Sequence, residues 1–190
     1  MDFPDTTLIK RAEAYVRPLL SKATLSHSER SFLYGREYGR VKKLHFDEET
    51  LYLASLFHDV GLGRPEKGKV FQEVSCDHVS RFLGNQDIEA NSAMVHEAIM
   101  YHVQVKLRVG QEDNTAAMLQ VGTWMDGLGL RKRTLPMQVR KEIAKEHAGP
   151  GFLREMTSHV VFEVGVFSFL KNMAGRVPDY SRTLDSSDEA

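Results

Sequence analysis

The stretch Leu51-Tyr52-Leu53-Ala54-Ser55-Leu56-Phe57-His58-Asp59-Val60-Gly61 runs seven largely apolar residues into an adjacent imidazole and carboxylate. A segment of this length without an internal Gly or Pro, and apolar on every side, reads as a helix buried all round. Asp59 is the only charge between residues 50 and 63. A carboxylate placed in such a core is costly without a partner and would rather take up a proton, so this position calls for a cation or several donors. The pattern recurs at Asp126, the sole charge from residue 116 to 130, with Gly122 one turn earlier leaving room beside it. His27 opens the next helix upstream, where its ring points off the helix end toward a common centre. Each residue also has a plainer reading: a capping or surface role for His27, a chance pairing for His58-Asp59, and an arginine-paired acid for Asp126. Convergence of all four from three separate helices favours a divalent ion with coordination positions left for water.

Around this core, apolar residues recur at spacings of three and four almost throughout, and period-two runs between Gly-rich turns are missing. The fold class is therefore all-α, a helical bundle with the metal site in its core. Helices are expected over 5–22, 26–43, 47–61, 70–83, 86–104, 114–130, 135–147 and 151–174. Ser26 with Glu29 fits a capping box, Asp47 and Asn114 fit N-caps, and Gly84 and Gly175 fit stops. One domain over 1–175, with its motif core at about 25–130, is followed by a polar tail over 176–190.

Composition narrows the chemistry. The chain of 190 residues has 25 Lys plus Arg against 26 Asp plus Glu, a net charge of -1. No excess of positive charge is available to hold a nucleic-acid backbone or an anionic membrane, so neither is an expected partner. A single cysteine, Cys76, excludes an internal disulfide and a multi-thiolate metal site, while eight histidines supply the imidazoles of zinc, iron or manganese sites. With no apolar run of about 18 residues and no signal-peptide pattern at the start, a cytoplasmic location is expected. Oligomeric state leaves no mark in the sequence.

The order His27, His58-Asp59, Asp126 in an all-α chain of this size resembles the HD-domain superfamily of metal-dependent hydrolases. Within it the chain is most similar to the cyanamide hydratase-like group. That likeness is carried by His27-Ser28-x-Arg30-x-x-x-Tyr34-Gly35, by Glu49-Thr50-Leu51-Tyr52-Leu53-Ala54 leading into Phe57-His58-Asp59-Val60-Gly61, and by Ala98-Ile99-x-x-His102. The resemblance implies His27, His58, Asp59 and Asp126 as ligands of one divalent ion, with zinc or iron the leading choices and manganese also suited. It makes His102 a proton-transfer or substrate-contacting group or, if a second ion binds, its ligand, with Asp59 as the bridge. A second histidine of such a two-metal site would fall near Phe71. His78, on the inward face with Phe71, Val74 and Phe82, reads as a core or outer-sphere histidine. Arg30, Tyr34 and Arg64 are possible substrate contacts, and His96 reads as solvated.

Position 62 bears on the reaction. Relatives that cleave nucleotides tend to carry Glu there and cyclic-dinucleotide phosphodiesterases tend to carry Lys, whereas this chain has Leu62. A small neutral substrate attacked by metal-activated water fits best, and the resemblance points to nitrile hydration of the cyanamide-to-urea type. Where that group continues with threonines after its His-Asp pair, this chain has Val60-Gly61-Leu62-Gly63-Arg64. The alternatives are an HD phosphohydrolase, with Arg64, Lys67 and Lys69 on a phosphate, and a non-catalytic metal- or ligand-binding HD domain.

Overall fold

A computed structural model describes residues 1–85, 91–107, 109–110, 112–148 and 151–159. Among them all regular structure is helical: α1 Thr7–Val16, α2 Lys22–Lys42, α3 Glu48–Phe57, α4 Val60–Gly63, α5 Phe71–Leu83, α6 Ser92–Tyr101, α7 Thr115–Leu128, α8 Met137–Glu146 and α9 Phe152–His159, with a 3-10 turn at Lys132–Thr134. This is the all-α bundle expected. No helix of the described residues is long and apolar enough to cross a membrane.

The helix α3 is the centre of the bundle. Every residue from Leu51 to Phe57 is buried, and the helix packs against α1, α2, α6 and α7. The most extensive helix pair is α2 against α7. Two glycines set that distance, because a Cβ on Gly35 would overlap the Met118 carbonyl and one on Gly122 would overlap the Ser31 carbonyl. The room anticipated at Gly122 is therefore filled by the α2 backbone itself. Buried Phe32 and Leu33 of α2, Met118 and Val121 of α7, and Val95 and Ile99 of α6 complete the core around α3.

Several expected boundaries move, each for a local reason. The first helix ends at Val16 rather than near 22 because Pro18 has no N–H to continue it, and the chain turns through Leu19 and Leu20 onto the Val16 carbonyl. The second helix starts at Lys22, capped by Ser21, whose Oγ accepts from the Thr24 N–H. Ser26 lies inside it, so the capping box with Glu29 is not formed. Asp47 caps α3 through the Thr50 N–H as expected, but Asn114 stands at the start of α7 without capping it. Its Oδ1 accepts from the Gly110 N–H and its Nδ2 donates to the His45 carbonyl, which ties the preceding loop down instead.

Gly84 ends α5. The helix expected over 86–104 covers Ser92–Tyr101, capped by Asn91, with 86–90 outside the described residues. Of the helix expected over 151–174, only Phe152–His159 is described, and Gly175 and the tail 176–190 lie outside.

The most consequential difference falls in the opening stretch. A single helix over 47–61 is expected, and two are found, α3 and α4, broken at His58-Asp59. The break is held open by Ser75 of α5, whose Oγ donates to the His58 carbonyl at 2.9 Å and accepts from the Gly61 N–H at 3.0 Å. One hydroxyl thus replaces the helical bonds across the interruption. His58 becomes the C-cap of one helix and Asp59 the N-cap of the next, which turns both side chains into the same space.

Candidate metal centre

Three histidine rings and one carboxylate meet at this break. His58 follows the last turn of α3, and its Nδ1 donates to the Ser55 carbonyl at 2.7 Å. His102 follows the last turn of α6 in the same manner, its Nδ1 donating to the Ile99 carbonyl at 2.6 Å. His27 sits in the second turn of α2, and its Nδ1 donates to Asp126 Oδ2 at 2.7 Å. Carbonyls and carboxylates only accept, so in each neutral ring the proton is fixed on Nδ1 and the lone pair on Nε2. Those three Nε2 atoms all face Asp59. His58 Nε2 lies 3.1 Å and His27 Nε2 3.7 Å from Asp59 Oδ2, and His102 Nε2 lies 3.8 Å from Oδ1.

All four residues are buried, none more than 3% exposed. Acceptors therefore converge on acceptors in a space from which water is largely excluded. Among the described residues His58 Nε2 and Asp59 Oδ2 have no hydrogen-bond partner, their mutual approach lacking the alignment of a bond. Such an orphaned pair is costly in a native core and signals a missing cation. The ligand-bearing atoms of His27, His58 and Asp59 lie within 4.8 Å of one another, a group that could hold a metal ion.

The electrostatics agree. Burial pushes the Asp59 carboxyl up, but the His58 ring, followed by His27 and His102, outweighs it and holds the group below the usual carboxylate range. Burial likewise opposes a charged His58, yet Asp59 beside it raises this ring above its ordinary value. His27 is lowered chiefly by burial, and His102 is pushed down to about 3 by burial and then by His58.

Of the four expected ligands, the structure brings three together. Asp126 is adjacent but turned away from the cluster, and both of its oxygens are engaged. Arg30 Nε donates to Oδ1 at 2.7 Å and an Arg30 Nη to Oδ2 at 2.8 Å, beside the His27 bond. Burial raises this carboxyl, while His27 and Arg30 bring it down to about 2. The arginine-paired acid, the plainer reading of Asp126, is thus the arrangement seen. Arg30 also donates to the His147 carbonyl, and His147 Nδ1 meets Glu29 Oε2 at 2.8 Å, so a polar layer behind the site fixes His27.

In front of the cluster lies a cavity of about 170 Å³. His27, His58, Asp59 and His102 form its floor, and its walls come from Leu62, Phe71, Val103, Thr123, Trp124, Gly127, Leu128, Phe152 and Met156. No lysine or arginine is among these lining residues. Trp124 Nε1 donates to the His102 carbonyl at 2.9 Å, so one wall also holds the histidine in place. Phe71, where a second-metal histidine would have fallen, packs its ring edge to face with His102, with centroids 5.7 Å apart.

The remaining expected contacts sit elsewhere. Each nitrogen of the Arg30 guanidinium is engaged behind His27. Tyr34, 2% exposed, lies in the core with Lys132 Nζ over its ring, and Arg64 reaches outward toward the Pro18 carbonyl. His78 bonds the Tyr15 hydroxyl through Nδ1 at 3.0 Å and does not line the cavity. His96 is half-buried, its Nε2 3.2 Å from Ser80 Oγ between α6 and α5, rather than solvated.

Phe152 has no signature in the sequence as part of the site. Its ring lies parallel to His27 at 3.5 Å between centroids, a contact 125 positions away in sequence with no local signature. Arg30 did leave a signal. Three residues after His27 on the same helix, it shares that histidine's face.

No match is found among curated proteins. The HD domain model matches residues 24–145, which contain the first histidine, the His-Asp pair and the distant aspartate together with the helices that carry them, and the chain belongs to the HD domain family.

Proposed function

We propose that the chain is a metal-dependent hydrolase or hydratase that adds water to a small uncharged substrate, with hydration of a nitrile carbon, as in cyanamide to urea, as the reference reaction. HD domains bind divalent metals and carry metal-dependent hydrolase-type activity, and the buried His27, His58 and Asp59 would hold the ion here. The observation that carries this reading is the convergence of His58 Nε2 and Asp59 Oδ2, unpartnered among the described residues, on the floor of a cavity that no described lysine or arginine lines. When bound, a divalent ion lowers the pKa of water and polarises the group under attack.

The protein groups supply the rest. His102 is held neutral, with an accepting Nε2 at the cavity floor, and so is placed to take a proton from attacking water and return it to the developing amide nitrogen. Asp126 fixes the tautomer and orientation of His27, as carboxylates behind ligating histidines do. Direct ligation by Asp126 would require exchange of a His27 or Arg30 contact. Zinc titration separates the two roles. Asp59→Ala is expected to abolish binding and Asp126→Asn to weaken it about 10–100-fold if Asp126 supports His27. Loss in Asp126→Asn as complete as in Asp59→Ala would make it a ligand.

Phosphate-ester cleavage has less support. Lys69 is paired with Glu66 and Asp77, Arg64 points to Pro18, and Leu62 rather than an acid or a lysine faces the cavity. Phe71 beside His102 favours one ion over two. Urea release from cyanamide, run beside phosphate release from a nucleotide panel, tests the reading: turnover confined to the nucleotides would overturn it. Full occupancy of the ion without turnover on either would favour the binding-domain alternative.

A further inference from the structure

The cavity walls are more apolar than the chemistry at its floor requires. Its volume, about 170 Å³, is close to that of an engineered apolar cavity of ~150 Å³ that accepts benzene. Cyanamide would cover little of the surface presented by Leu62, Phe71, Val103, Leu128, Phe152 and Met156. Leu128, at the rim, is 59% exposed, an unusual position for a large aliphatic side chain beside a reactive floor.

We propose that the substrate joins its uncharged reacting head to an apolar group about the size of one six-membered ring, and that Phe152 and Met156 of α9 determine which groups fit. This rests on the reading of the centre as a site for uncharged substrates. The wall and the floor are built as one piece. Phe152 lies flat on His27, with rings inclined by 8°. One turn on, Glu155 accepts from Ser21 Oγ at 2.6 Å and from Thr24 Oγ1 at 3.0 Å, at the start of the helix that carries His27. The apolar wall is therefore held in fixed relation to the metal-binding histidine, and Leu62 and Phe71 face it from α4 and α5. A ring placed between them would exchange water for carbon contacts while its polar head stayed on the floor.

Binding separates this inference from the reaction. Trp124 is the only tryptophan and lines the cavity, so its fluorescence reports occupancy in the full chain, zinc-loaded or metal-free. Benzonitrile is expected to bind both forms at least about tenfold more tightly than acetonitrile. Met156→Ala, and Phe152→Ala where it folds, should shift preference several-fold from benzonitrile toward 1-naphthonitrile. Equal affinity for benzonitrile and acetonitrile would overturn the proposal, as would unchanged preference in folded Met156→Ala. If benzonitrile binds as expected and no uncharged substrate is ever hydrated, the reaction reading fails and the cavity assignment stands. If cyanamide is hydrated while the two nitriles bind alike, the reverse holds.

Discussion

At the scale of single residues, the centre is built by giving each histidine a backbone or carboxylate acceptor for Nδ1, so that Nε2 is left as a lone pair. The burial of these rings has a consequence for stability. His102 in the metal-free protein titrates at about 3 against an ordinary 6.5, because burial disfavours its charged form. The unfolded chain then binds a proton that the folded chain refuses. Its contribution to stability is fully present above about pH 6.5 and is lost as the pH falls toward about 3, with a slope of about 1.4 kcal/mol per pH unit for each such proton. His27 is lowered too and adds the same sign, while His58, raised by Asp59, acts with the opposite sign and above about pH 6.5, outside that range. Urea unfolding of the metal-free protein between about pH 4 and 6 should show this gain with pH, and His102→Gln should remove about one proton's worth of slope. Equal slopes in the two proteins would refute the assignment.

Most of these residues were legible in the sequence because a lone charge in an apolar helix demands a physical reason, and Asp59 and Asp126 both stood out on that ground. The partner of Asp126 was visible as well, since Arg30 follows His27 by three residues. Its destination was not, because a guanidinium suits a substrate and a buried carboxylate equally well until the distance between α2 and α7 is known.

Among the elements, helices could be placed by periodicity, but the one break that matters could not. Nothing in Leu56 to Gly61 announces that the helix stops at His58-Asp59. The cause lies 16 residues beyond Asp59, in the hydroxyl of Ser75. Pro18, by contrast, was a local signal for the end of α1. The α2 and α7 pair carries its own test. Gly122→Ala would force a methyl group into the Ser31 carbonyl and should cost about 1–3 kcal/mol or more, moving Asp126 away from His27 and Arg30. Gly127, one turn and a half further along the same helix, faces open space, so Gly127→Ala should be neutral or stabilise by up to about 1 kcal/mol. Chemical denaturation of both variants checks the pair, and similar midpoints would contradict this account of the interface.

For the molecule as a whole, the near balance of charge acquires a local meaning at the site, where Arg30 is directed to Asp126, Lys69 to Glu66 and Asp77, and Arg64 to a backbone carbonyl rather than into the cavity. The all-α class and the metal-binding theme follow from pattern and composition. The apolar wall formed by α9 does not, because its residues reach His27 only through the closed tertiary fold. Since folding assembles the site, an ion that binds only the folded chain should raise stability by about 2.7 kcal/mol at a hundredfold excess over its Kd. A chelator should reverse this, read as a fall in Tm.

The most direct test is metal content. After equilibration with limiting zinc or manganese and removal of free ion, the wild-type protein should retain about one equivalent per chain, and Asp59→Ala and His58→Ala should each retain almost none while keeping the helical circular-dichroism spectrum. A wild-type protein that retains no ion, or folded variants that retain as much as the wild type, would contradict the assignment of His27, His58 and Asp59 as the metal centre.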